Sequence, residues 1–132
     1  MEQTRDRQLA AAPGTTALRV TRVLSAIMAA LVLVQGASAG TYLEGVSGAL
    51  AVHSLVAMPT LAVLSIAVAV FAIRAARAKR WVLGVAVLAF LGVNLQIAMG
   101  YARFLQIHIP LGIALFGTYL SMALLAKSPK QK

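Results

Sequence analysis

Four apolar stretches, each long enough to cross a lipid bilayer, leave this chain few choices of fold: Ala17 to Ala39, Gly45 to Ile73, Trp81 to Gly100 and Leu105 to Ala126. A hydrocarbon core of about 30 Å is crossed by about 20 helical residues. Inside lipid every backbone N–H and C=O must be paired within its own segment, so these stretches have to be helices. The connections are short, so successive helices are antiparallel neighbours. The predicted fold is all-α, a polytopic membrane protein with a four-helix up-down-up-down bundle over residues 17–126. Residues 1–16 read as a disordered tail and 127–132 as a basic tail.

The charges support this. Of 132 residues 61% are apolar and 11% charged, where soluble domains average about a quarter charged. A net charge of +9 invites a nucleic-acid reading, but the basic residues only border the apolar blocks, and membrane topology explains them better. Eleven of the twelve Lys and Arg fall in the N-terminal region (Arg5, Arg7, Arg19, Arg22), the middle loop (Arg74, Arg77, Lys79, Arg80) or the C-terminus (Lys127, Lys130, Lys132). Arg103 alone lies on the other side. The positive-inside rule then expects a multi-pass protein of the plasma membrane with both termini cytoplasmic. The absence of cysteine excludes disulfides and thiolate metal sites. No acidic residue lies within the apolar runs, which argues against an ion-coupled transporter.

The first apolar run also has the make-up of a signal peptide, with Ala37-Ser38-Ala39 as a small-residue cleavage site. Its length suffices to span, so a retained helix is the favoured reading. The second run, about 29 residues or ~43 Å as helix, exceeds the hydrocarbon thickness and should tilt or protrude. Pro59, mid-run, should kink it and free the carbonyl of Leu55.

Both histidines lie in apolar runs, where an ionisable side chain is costly without a partner and marks a candidate site. His53 precedes Ile73 by about 30 Å of helix and His108 precedes Ala126 by about 27 Å. They therefore share a depth near the outer boundary. Gln35, Asn94 and Gln96 also fall in outer halves, whereas the inner halves hold only Thr60, Ser65, Thr118 and Ser121 as expected polar residues. The site should open outward. In a square bundle helices two and four are diagonal, roughly 12–14 Å apart for neighbours spaced 8–10 Å. A haem iron with an axial imidazole from each side would span that gap. Gly112, one turn below His108, and Ala57, one turn below His53, would let a flat macrocycle approach the backbone. Arg103 and Tyr101 at the rim would meet propionates. Gln35 and Gln96 are candidates for cofactor contacts, Gln96 because a small residue, Gly100, follows one turn on.

Two plainer readings stay open. Membrane histidines and small residues commonly do no more than pack helices together, which would make the protein a non-enzymatic membrane subunit or scaffold. A quinone or similar small molecule is the other alternative. Two histidines are too few for a protein-only zinc site.

A histidine at the outer ends of helices two and four, with Gln96-x-x-x-Gly100 ending helix three, resembles one four-helix half of haem A synthase, and also small four-helix bacterial membrane proteins of the same layout. The resemblance covers about Val20 to Ala126. It implies that His53 and His108 are axial ligands of a haem b, and that a homodimer would rebuild a two-half arrangement. The acidic residue close before the helix-two histidine of that family is missing, Glu44 being nine residues away, and so is the extracellular cysteine pair. Haem binding, with electron transfer to a redox partner or quinone or simple haem handling, is therefore the expected inheritance, without an enzymatic activity of the chain on its own.

Overall fold

The computed structural model describes residues 13–127. It consists of four long helices: α1 (Pro13–Leu43), α2 (Gly48–Ala75), α3 (Arg80–Tyr101) and α4 (Leu105–Leu125). There is no strand among the described residues. Each helix packs on its sequence neighbours and α4 closes against α1. The contacts trace the four sides of a square, with α2 facing α4 across a diagonal. All four helices are long and apolar enough to cross a membrane. The chain is thus an all-α polytopic membrane bundle, as its hydropathy pattern requires.

The helix ends differ from those read in the sequence. α1 has 31 residues, about 46 Å of helix. From the first described residue, Pro13, the chain is already helical, and proline is at ease in a helix's first turn. Residues 13–16 therefore belong to α1 and not to a tail; the rest of the expected tails, 1–12 and 128–132, lie outside the described residues. At its far end α1 runs on through Gly40, where a loop was expected, and the Thr41 hydroxyl donates to the Ala37 carbonyl at 2.9 Å. The reversal into α2 needs only a few residues, and Gly45 adopts φ +98 there, a conformation that costs glycine little.

Pro59 does more than kink α2. The helix is α over Gly48–Leu55 and Ala62–Ala75, with a π-helical stretch, Val56–Leu61, between them. Proline lacks the N–H of an i→i−4 bond and its ring crowds the carbonyl one turn back. A turn with an extra residue relieves both.

The core sits toward the end that carries the basic residues. Leu18, Thr21, Ser25 and Met28 of α1 are buried there with Val68 and Ala72 of α2, Val82 and Ala86 of α3, and Tyr119 and Met122 of α4. Small side chains bring the backbones close, the usual mode of packing where lipid removes any hydrophobic drive. Of the four polar residues expected in this half only Ser65 is buried; Thr21, Ser25 and Tyr119 are the others that face the interior. Two cations fasten this end. Arg22 Nε donates to the Ala123 carbonyl at 3.1 Å and Lys79 Nζ to the Leu125 carbonyl at 3.3 Å. Last-turn carbonyls have no intrahelical donor and form the negative end of the helix dipole, so a cation suits them.

The opposite end is loose. No residue of Gly48–Leu55 is buried, nor is any from Leu105 to Pro110. A square tight at one end and open at the other leaves a cleft between the four helices.

Candidate functional site

The cleft is built from all four helices. Gln35 of α1, His53 and Ala57 of α2, Gln96 of α3, and His108 and Gly112 of α4 form its walls. Leu61, Val93 and Leu115 form an apolar floor toward the core. About 420 Å³ of space lies between the lining atoms when the open surroundings are counted with it, and the enclosed part is far smaller. None of its side chains carries a fixed charge.

The π-helical stretch aims His53 into this space. The interior positions of α2, counted back from the basic end, are Ala75, Ala72, Val68, Ser65 and Leu61. These steps alternate three and four, as a 3.6-residue period demands. Within the π stretch and beyond it the cleft is lined by Ala57 and then His53, so that three steps of four, counted from Ser65, follow one another. An uninterrupted α-helix would have turned Ser54 inward instead. The extra residue shifts the outer segment by about 100°, and the inward position passes to the histidine.

The two imidazoles meet across the diagonal, with ring centroids 6.1 Å apart and planes at 56°. Each is held from behind by the neighbouring helix. His108 Nδ1 lies 2.9 Å from the Gln96 carbonyl oxygen. His53 Nδ1 lies 3.1 Å from the Gln35 carbonyl oxygen and 3.2 Å from Ser38 Oγ. The Ser38 hydroxyl itself donates to that carbonyl at 3.0 Å. A carbonyl only accepts, so Nδ1 carries the proton in both rings. Nε2 is then the lone-pair nitrogen in each, with no hydrogen-bond partner among the described residues. This tautomer, fixed by a carbonyl behind the ring, is the one metal-binding histidines adopt.

The glutamines behave differently from the histidines. Gln35 is 8% exposed, and neither its amide nitrogen nor its amide oxygen has a partner. The Gln96 amide oxygen is orphaned as well, while its nitrogen sits 3.0 Å from where a Cβ on Gly112 would be. The space that a side chain at Gly112 would take is thus filled by the Gln96 amide, so the expected room for a macrocycle over Gly112 is occupied. Buried polar atoms without partners are rare in native proteins and call for a water, an ion or a ligand. Asn94 and Arg103 are not brought into the cleft. Asn94 is exposed and bonds the Phe90 carbonyl of its own helix at 2.8 Å. Arg103 is an exposed residue of the α3–α4 turn, at φ 59.

The donor set fits a haem. Two neutral imidazoles with rings 6.1 Å apart are of the kind that would hold a haem iron, each through Nε2. Space is the harder condition, since the Gln96 amide lies over Gly112. The segments that must separate, Gly48–Leu55 and Leu105–Pro110, hold no buried residue, so parting them costs little packing. Among the described residues no three His, Asp or Glu side chains come together, and a metal bound by protein alone would lack ligands. These features define a class: a membrane helical bundle with a paired-imidazole cleft near one end. Compared with known protein families, curated sequences and solved structures, the chain has no match.

Proposed function

We propose that the chain is a haem b-binding membrane protein whose iron is held by Nε2 of His53 and Nε2 of His108. The observation that carries the reading is the pair of rings 6.1 Å apart, each with Nδ1 turned to a backbone carbonyl and Nε2 left for a metal. Haem supplies one-electron transfer when bound in this way. The protein's part is to orient both imidazoles, to exclude water with Leu61, Val93 and Leu115, and to present Gln35 and Gln96 to the flanks. The basic residues at one end support an orientation in which the site faces the outer side of the plasma membrane, where a redox partner would exchange electrons.

The test is the absorption spectrum of protein purified after expression with ample haem. The expected species is six-coordinate and low-spin and binds carbon monoxide poorly. His53→Ala and His108→Ala should each remove the six-coordinate state. A colourless protein, or spectra unchanged in both variants, overturns the reading. The orphaned amides favour one alternative, a quinone whose carbonyl accepts from the Gln35 amide; a colourless protein that copurifies with quinone would establish it.

A further inference from the structure

We infer that Gly100 is a positioning residue for His108: the missing side chain at Gly100 and the carbonyl of Gln96, one turn before it, together form the seat of the imidazole. The inference rests on the haem reading for its consequence but not for its geometry.

Glycine at this position has no backbone explanation. It lies inside α3, and Gly45 is the one described glycine with positive φ. The left-handed residue that closes the α3–α4 turn is Arg103, three residues on. Glycine also weakens a helix relative to alanine. What Gly100 permits is contact. A Cβ there would stand 2.9 Å from Cε1, 3.2 Å from Nδ1 and 3.7 Å from Nε2 of His108, so the imidazole ring packs on the helix backbone. The ring cannot turn aside freely, because Nδ1 is bonded to the Gln96 carbonyl at 2.9 Å. Relieving the clash means breaking that bond or moving α4 away from α3. Other glycines of the same helix are used differently. A Cβ on Gly92 would meet the flexible tip of Leu115 at 3.0 Å, and one on Gly84 would meet nothing within 4 Å.

The seat does two things at once. The carbonyl selects the Nδ1–H tautomer, and the bare backbone sets the direction in which Nε2 points. Gln96 and Gly100 act as a unit because four residues place them one above the other on the same helix face.

The experiment is Gly100→Ala in the full chain, with Gly84→Ala as control. In protein without haem, ¹⁵N spectra of the histidine side chains should show His108 as the Nδ1–H tautomer in wild type and in Gly84→Ala. Gly100→Ala should lose that state. After loading with haem, Gly100→Ala should match His108→Ala: the sixth ligand is lost, carbon monoxide binds, and added free imidazole restores the wild-type spectrum. Should Gly100→Ala insert or fold poorly, the double variant decides. With His108→Ala in place there is no ring to displace, so Gly100→Ala should cause no further loss of yield or thermal stability. An unchanged His108 tautomer together with an unchanged spectrum overturns the inference, as does damage that persists in the double variant. A wild type that takes up no haem defeats the proposed function but leaves the tautomer measurement to decide Gly100.

Discussion

Replacing Gln35 with leucine should stabilise the haem-free protein. Gln35 is 8% exposed and both polar atoms of its amide lack partners. An unpaired buried polar group costs about 1–3 kcal/mol in proteins. Leucine has a similar bulk and needs no partner. Taking about 2 kcal/mol, the folding equilibrium of the apo protein should shift by roughly 30-fold. The substitution leaves the backbone carbonyl that takes His53 Nδ1 untouched, so the arrangement of the imidazole pair survives and the amide alone is tested. Unfolding in mixed micelles can be followed through Trp81, the single tryptophan. On the proposed function, loading with haem should stabilise the folded state by mass action. If the amide serves the bound group, Gln35→Leu should gain less from haem than wild type does. A leucine variant less stable than wild type without haem would refute the reasoning, because the amide would then have a partner worth keeping.

Tyr119→Phe should also stabilise, by ~1–3 kcal/mol, since the fully buried hydroxyl of Tyr119 has no partner; thermal unfolding in detergent measures it. On the proposed function, Gly112→Leu should abolish haem uptake while the protein still inserts, because its Cβ would stand 3.0 Å from Gln96 Nε2 and the rest of the side chain would enter the cleft; pigment per milligram of protein is the readout. Tags at either terminus and in the Arg74–Arg80 stretch should report the cytoplasm and tags at Glu44 or Arg103 the outside, an accessibility assay giving the answer. N-terminal sequencing of the mature protein should begin before Gly40, since cleavage there would remove Gln35 and Ser38 from behind His53.

The spans and the square were readable because length and hydropathy decide them. The common depth of His53 and His108 was readable because counting from the basic ends measures depth in a straight helix. Azimuth was not. Membrane helices are apolar all round, so no period marks the inward face. In the sequence Thr60, Thr118 and Ser121 therefore look as interior as Ser65, and nothing singles out Thr21, Ser25 and Tyr119, which are buried. The Gln96–Gly100 pair was visible as a pattern, but its use for His108 depends on how closely α3 and α4 approach. Pro59 was read as a kink, since sequence shows where a helix must yield and not how.

The π-helical stretch of α2 also governs which changes in length this helix can absorb. The stretch holds one residue more than a regular α turn requires. Deleting Pro59 removes both the surplus residue and the reason for it. α2 should then close into continuous α-helix with Leu61, Ala57 and His53 still on one face, and the imidazole pair intact. A one-residue deletion in the regular part, Ala69 for example, has no surplus to draw on. Everything toward the loose end would swing by about 100°, and His53 would leave the cleft. Among single deletions in α2, that of Pro59 should thus be the silent one.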